Sequence, residues 1–316
     1  MDNACRFSFI RLTGVFLILV AGGCVSLQNS HFQAIQSAAT SGNVRAEYEL
    51  AECYAHGDGI PQDYVKAVEY FRKSAGQGYA PAQTGLGSCY ALGLGVKKDF
   101  VEALQWYHQA AIQGDSLAQY SLGYAYASGK SVPKDFDAAV HWWQKSAEQG
   151  QVYAQNALGK FYFSGEYPGD TNHVNYAEAA KWLRRAAEQG CAPAMGTLGY
   201  MYQYGVGVGH DWSQALQWNR RAAERGDATG QDNLGQMYEN GNAGLPHDLV
   251  EAYKWFLLSE QQGDPEGKHD AMEIKLKQVL TPEQIAEAKR LATEFHSRKG
   301  THNPSSTPEV QSQNGH

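Results

Sequence analysis

The chain has little cysteine, and no arrangement of it that builds a metal knot or a disulfide mesh. Its five cysteines, Cys5, Cys24, Cys53, Cys89 and Cys191, include no C-x-x-C pair, and none of its 11 histidines stands in H-x-x-x-H spacing. No structural zinc, other metal or cofactor is therefore expected. A basic excess is also missing: 26 Lys and Arg face 33 Asp and Glu, for a formal net charge of −7. Binding to phosphate backbones needs clustered positive charge, so no nucleic-acid partner is expected. Long apolar runs are scarce as well. The uninterrupted run from Val15 to Ala21 falls short of the roughly 20 residues with which a helix crosses a bilayer. What the 316 residues do contain is 43% hydrophobic side chains, too many for a mainly disordered chain and enough for a packed core.

The short apolar run has a context. Arg6 and Arg11 precede it, and Gly22 and Gly23 follow it, the order of charged region, apolar region and small-residue site in a secretory leader. Val20-Ala21-Gly22-Gly23-Cys24 also resembles the bacterial lipobox, with Ala21 where Leu is more usual. That resemblance implies removal of residues 1–23 and lipidation of Cys24 as the mature N-terminus; the alternative is an ordinary cleaved leader with an incidental cysteine. Either way the expectation is an exported protein on the periplasmic face of the envelope, touching the membrane through its N-terminal lipid only. In a Gram-negative host, Val25 in place of a retention Asp points to the outer membrane. Cleavage removes Asp2, Arg6 and Arg11, which takes the formal charge to −8.

The remainder repeats. Leu-Gly or Leu-Ala pairs begin at Leu50, Leu86, Leu122, Leu158, Leu198 and Leu234. Four residues later stand Tyr54, Tyr90, Tyr126, Tyr162, Tyr202 and Tyr238, and three beyond each comes a Gly. The step is 36 residues except for one of 40. A second half-unit keeps the beat: Ala67, Ala103, Ala139, Ala179, Ala215 and Ala252 stand three before Tyr70, Trp106, Trp142, Trp182, Trp218 and Trp255, with a Gly eight residues after each aromatic. Apolar spacings of three and four with Gly between predict two amphipathic helices per unit. Four residues before each Ala sits Asp63, Asp99, Asp135, Asn175, Asp211 or Asp248, placed to cap the second helix by accepting orphan backbone N–H groups. The Gly after each Leu costs about 1 kcal/mol of helix propensity, and close approach of the neighbouring helix is its expected return.

This pattern, A-x-x-x-L-G-x-x-Y-x-x-G then D-x-x-x-A-x-x-W-x-x-x-A-x-x-x-G, as in ALGLGVKKDFVEALQWYHQAAIQG and YAEAAKWLRRAAEQG, resembles the Sel1-like repeat, a relative of the tetratricopeptide repeat. The resemblance implies an all-α fold, an α-α superhelical solenoid of about six helix-turn-helix units with a C-terminal capping helix. The expected units are 43–78, 79–114, 115–150, 151–190, 191–226 and 227–263, preceded by a linker and half-repeat helix over 24–42. Capping helices follow over 264–298, opened by the capping box of Thr281, Pro282 and Gln284 with Leu280 and Ile285 as its staple. Residues 299–316, rich in Ser, Pro, Asn and Gln, are expected to be disordered.

Several stretches invite a catalytic reading. Gly205, Gly207 and Gly209, followed by His210 and Asp211, suggest a phosphate-cradling loop, yet they align with Gly57 and Gly59 and with Gly93 and Gly95. A dinucleotide site needs a strand in front, so an interhelix turn is expected. Ser131-Val132-Pro133-Lys134 matches the S-x-x-K of penicillin-recognising enzymes but falls in the equivalent turn, without S-D-N or K-T-G. It draws notice because some cysteine-rich relatives of this repeat have been associated with penicillin binding. No catalytic residue is assigned. Cys53 and Cys89 stand at equivalent positions of successive units, where parallel helices roughly 10 Å apart exceed disulfide reach, and they are expected to be free.

In the tetratricopeptide geometry that the repeat resembles, first helices line a concave groove through residues five and two before the Leu and two and five after it. That offset gives Tyr48, Tyr120, Tyr124, Tyr153, Asn156, Lys160, Phe163, Tyr200, Gln203 and Gln236 as groove residues. Tyrosines with a polar tip favour recognition surfaces, and packing between repeats is the alternative for them. The expected function is an exported, lipid-anchored, monomeric, non-catalytic scaffold holding a protein or extended peptide in the groove. A periplasmic hydrolase of β-lactamase or cell-wall type, or a glycan- or peptidoglycan-binding module, are the alternatives.

Overall fold

In a computed structural model, the residues described are 24–164, 174–261 and 279–300, with side chains from 32 to 295 within those ranges. The leader over 1–23, most of the cap before Thr281 and the tail beyond 300 lie outside the described residues. Every described element is helical. A half-repeat helix α1 (Cys24–Thr40) comes first. First helices of the six units are α2 (Val44–His56), α4 (Ala80–Leu92), α6 (Ser116–Ser128), α8 (Val152–Ser164), α10 (Ala192–Tyr204) and α12 (Ala228–Asn240). Their partners are α3 (Tyr64–Gly76), α5 (Phe100–Ile112), α7 (Phe136–Glu148), α9 (Tyr176–Glu188), α11 (Trp212–Arg225) and α13 (Leu249–Glu260). The cap is α14 (Pro282–Gly300). The chain divides within α5 into two compact units, one ending at Ala110 and one beginning at Ala111. Each is an α-α solenoid segment with its own core.

The caps behave as their residue types require. Oδ1 of Asp63 accepts from the N–H of Lys66 at 3.0 Å, that of Asp135 from Ala138 at 2.9 Å and that of Asn175 from Glu178 at 3.1 Å. Asp99, Asp211 and Asp248 each accept from two backbone N–H groups. A second bond closes every turn. The backbone N–H of the capping residue donates to the carbonyl of the periodic Tyr: Asp63 to Tyr54 (2.8 Å), Asp99 to Tyr90 (2.9 Å), Asp135 to Tyr126 (3.1 Å), Asn175 to Tyr162 (2.8 Å), Asp211 to Tyr202 (3.0 Å) and Asp248 to Tyr238 (3.1 Å). The longer connections of units four and six thus hang between fixed ends, where added loop length costs little.

Within a unit the two helices meet at the helical glycine. A Cβ on Gly123 would lie 2.4 Å from the Trp143 ring, and one on Gly159 would lie 2.5 Å from Leu183. Gly87 meets Tyr107 and Gly235 meets Phe256 in the same way, at 2.9 and 2.7 Å. Leu86 and Leu158, beside two of these glycines, are fully buried, as are Leu50 and Leu198 at the same place in their units. A polar staple recurs between units: the side-chain amides of Gln83, Gln155 and Gln231 donate to the carbonyls of Ala75, Ala147 and Ala223, each eight residues earlier. The aromatics of the second helices are roofed by cations, Lys145 over Trp142 at 5.1 Å and Arg221 over Trp218 at 5.2 Å. At the cap, Thr281 N–H donates to Gln284 Oε1 (2.9 Å) and Gln284 N–H donates to Thr281 Oγ1 (3.3 Å), while Leu280 and Ile285 pack in one cluster.

The turn that mimics a glycine loop has a conformational reason. Gly59, Gly95 and Gly207 adopt φ of +77°, +68° and +67°, and at the same register Ser131 and Ala243 are forced to +63° and +58°. A non-glycine residue there carries strain of about 1–2 kcal/mol. Gly207 has a further constraint, because a Cβ on it would stand 2.4 Å from the carbonyl oxygen of Tyr176. Cys53, Cys89 and Cys191 are joined in no disulfide, and the first two are buried. Burial, with help from the Glu52 carboxylate, pushes the Cys89 thiol up to about 12.

Two outcomes follow. Ser131→Gly is expected to gain about 0.5–1 kcal/mol in urea unfolding, strain relief exceeding the added chain entropy, whereas Gly207→Ala in the same register loses about 2 kcal/mol or more. At pH 8 the Cys89 thiol stays protonated and sheltered, so peptide mapping after alkylation should find it modified only once denaturant is added.

Candidate partner-binding face

The candidate face is built on the first helices of the second compact unit. On α8, Tyr153, Asn156, Lys160 and Phe163 recur at spacings of three and four and fall on one stripe. On α10, Tyr200 and Tyr204 are one turn apart, their ring centroids 4.5 Å from each other. Phe163 stands edge-to-face with Tyr200, at 5.8 Å and 88°. It meets Tyr176 likewise, at 5.8 Å and 67°. Tyr176 reaches this cluster from the first turn of α9, immediately after the Asn175 cap, and the Gly207 turn closes on its backbone. Tyr176, Tyr200 and Tyr204 remain 43%, 36% and 52% exposed.

Beneath the rings lies a buried amide network. Gln203, expected to face the groove, is 5% exposed and points inward. Its Nε2 donates to the Tyr204 hydroxyl at 3.2 Å and its Oε1 accepts from Asn219 Nδ2 at 3.4 Å. Asn233 Nδ2 in turn donates to Asn219 Oδ1 at 3.1 Å. Asn219 occupies the register where the other units carry Phe71, Tyr107, Trp143, Leu183 and Phe256. The reason Gln203 is drawn in is that a buried Asn needs partners, and an unsatisfied amide costs about 1–3 kcal/mol. On its outer side the Tyr204 hydroxyl donates to Gln236 Oε1 at 3.2 Å, and Gln236 Nε2 donates to Asp232 Oδ2 at 2.8 Å. Burial first, then the neighbouring Tyr200, raises the Tyr204 phenol above its ordinary pKa, so it remains a neutral donor at physiological pH.

The other expected groove residues separate into groups. Tyr120 and Tyr153 pack on each other at 5.9 Å, half-buried, while Tyr124 is 55% exposed. Asn156 Oδ1 is buried with no hydrogen-bond partner, and Lys160 is exposed. Tyr48 belongs to the first compact unit, where it packs edge-on against Tyr79 at 5.4 Å and against Phe71. Cys24 begins α1, and its side chain lies outside the described residues. Of the catalytic look-alikes, Ser131 and Gly205 to Gly209 are interhelix turns, Asp211 is a cap, His210 packs on Trp212 and the Lys134 ammonium sits over Phe136 at 4.8 Å. Among the described residues no three His, Cys, Asp or Glu gather as a metal site, and no helix is long and apolar enough to cross a membrane. Tyr176 and Tyr204 escaped the tetratricopeptide offset. The signal for Tyr176 was available, since Tyr64, Phe100, Phe136, Tyr176 and Trp212 all follow directly on the capping residue.

Helix pairs closed by a capping turn, packed through a glycine and stacked in register define a helical-repeat solenoid of the scaffold class. The Sel1 repeat family matches six times, over residues 44–79, 80–115, 116–151, 152–191, 192–227 and 228–264, and the chain belongs to that family. Its fold resembles a protective antigen of uropathogenic Escherichia coli displaying an SLR fold, with a TM-score of 0.76 and 32% identity over 90% of this chain. The chain spans 61% of the length of that protein. It also resembles a Sel1 repeat protein from Oxalobacter formigenes, with a TM-score of 0.65 and 30% identity, over 75% of this chain and 99% of that one. No curated protein sequence matches. Sel1-repeat solenoids are generally non-enzymatic scaffolds for protein–protein interaction.

Asn219→Leu tests the amide network. It restores an apolar core residue but strands Gln203 and Asn233, so a loss of about 1–3 kcal/mol in urea unfolding is expected, together with a Tyr204 phenol that titrates differently by ultraviolet absorbance.

Proposed function

We propose that the protein is an exported, monomeric scaffold, anchored by lipid at Cys24 on the periplasmic face of the envelope, that holds a protein or extended peptide along the first helices α6 to α12. In a Gram-negative host the anchor lies in the outer membrane. The observation that carries this reading is the set of open tyrosines on the first helices α6 and α10, Tyr124, Tyr200 and Tyr204, beside the stripe of α8 that bears Tyr153 and Phe163. Exposed Tyr124, Tyr200 and Tyr204 supply rigid amphipathic contact area at low entropic cost. Export is supported by the likeness to a protective antigen, because such a protein must be reachable by host immunity.

A photo-crosslinking residue at position 200 or 124 in producing cells should yield one defined adduct, absent when the residue stands at Arg221 on the opposite helix layer. Tyr124→Ala combined with Tyr153→Ala should abolish capture and leave helical circular dichroism intact. Adducts of equal yield at 221, or capture unaffected by the double change, place the interface elsewhere. Cys24→Ser should release the protein from the membrane fraction; retention there overturns the lipid anchor.

A further inference from the structure

We propose that Phe163, Tyr176, Tyr200 and Tyr204, with the Asp232 carboxylate, form an aromatic cage that binds an arginine or lysine side chain of the scaffold's peptide partner. The inference rests on the peptide-binding reading and names the chemistry of the bound residue.

Three observations lead to it. First, several half-buried rings of this chain are paired with cations. Lys73 lies over Tyr70 at 4.6 Å, Lys134 over Phe136 at 4.8 Å and Lys145 over Trp142 at 5.1 Å. Over the four rings of the cage no cation of the described residues is placed, although three of those rings are exposed by a third to a half. Tyr176, Tyr200 and Tyr204 are thus partly open to solvent, and an aromatic ring attracts positive charge through its quadrupole.

Second, the rings stand as walls. Phe163 is near-perpendicular to Tyr200 at 88° and steep to Tyr176 at 67°. A sugar ring stacks best on one flat, accessible face, which rings steep to one another do not share, whereas a compact cation can contact several rings at once. The geometry is also held in place before any ligand arrives. Gln203, nine-tenths buried, fixes the Tyr204 hydroxyl from below, and Gln236 fixes it from the side.

Third, the charge is complementary. Gln236 ties Tyr204 to Asp232 in one hydrogen-bonded chain, so a carboxylate stands beside the rings. The whole chain carries a formal charge of −7, which steers a cationic segment inward. Lys160, one turn before Phe163 on α8, is the opposing charge on this stripe, and it is exposed and sits over none of the rings.

Binding of a fluorescein-labelled Gly/Ser decapeptide carrying two arginines is measured by polarisation with the full chain at low salt, against the same peptide with citrulline, which keeps shape and loses charge. The arginine peptide should bind at least about tenfold tighter. Tyr200→Ala and Tyr204→Ala should each weaken it about threefold to tenfold, Asp232→Asn should weaken it, and Lys160→Gln should not. Tyr204→Phe, which keeps the ring and loses the hydroxyl that Gln203 and Gln236 hold, should weaken it less than Tyr204→Ala does. Equal affinity for the arginine and citrulline peptides overturns the cage, as does arginine binding unchanged in Tyr200→Ala with helicity intact. Displacement of the arginine peptide by chitotetraose, with equal loss in Tyr204→Ala, points instead to a sugar platform and overturns it too. A cellular partner that crosslinks at position 200 but is not displaced by the arginine peptide sinks the cage and leaves the scaffold standing; absence of any adduct sinks the scaffold whatever the peptide does.

Discussion

The structure depends first on one backbone hydrogen bond, repeated in every unit, from the N–H of the capping residue to the carbonyl of the tyrosine that ends the core stripe of the first helix. It fixes the distance and angle at which the second helix departs. With the cap side chain accepting the next free N–H groups, the turn leaves few backbone groups for water or neighbours to satisfy. Because this clamp holds both ends of the connection, the sequence between them is free to vary, and units four and six carry extra residues without shifting the helices they join. The glycine in the middle of every first helix but α2, where Ala51 takes its place, follows from the same constraint. Once the departure angle is set, the second helix lies so close that a methyl group at Gly123 or Gly159 has no room. A propensity cost of about 1 kcal/mol is thereby exchanged for packing of a large side chain against bare backbone.

Unit five breaks the pattern where the aromatic cluster forms. Its second helix places Asn219 where other units place a large apolar side chain, and the helices close over a polar network instead of a hydrophobic contact. Such a network is favourable only when every member is paired. The pairing recruits Gln203 from below the surface and holds the Tyr204 hydroxyl in a fixed position. The rings above are consequently rigid as well as exposed, a combination that lowers the ordering cost of binding. Elsewhere in the chain several aromatic rings, among them Tyr70 and Trp142, are covered by a lysine three residues along the same helix, a contact that local helix geometry supplies. The cage lacks such a neighbour because Ala179, Gln203 and Gly207, not lysine or arginine, stand three residues after Tyr176, Tyr200 and Tyr204.

Much of this was legible in the chain itself. Caps at Asp63 or Asp135, the interhelix identity of Ser131, the close approach at Gly159 and the capping box at Thr281 all depend on residues within a few positions of one another, and local spacing reports them. Gln203 shows where that reading stops. Its register put it on the outer stripe of α10, yet its direction is decided by Asn219 and Asn233, two residues on other helices whose buried amides need partners. Tyr204 and Tyr176 show the same limit from the other side, since nothing in their own helices indicates that they converge.

The sequence by itself determined the helix pairs, their number, their caps and their family, because these follow from periodic short-range interactions in which a residue's role is set by its place in the repeat. Only the tertiary structure decided which side chains of that repeat are buried, which remain open and which meet across helices. Those outcomes depend on the polar and steric demands of residues distant in the chain, and a period of 36 residues carries no record of them.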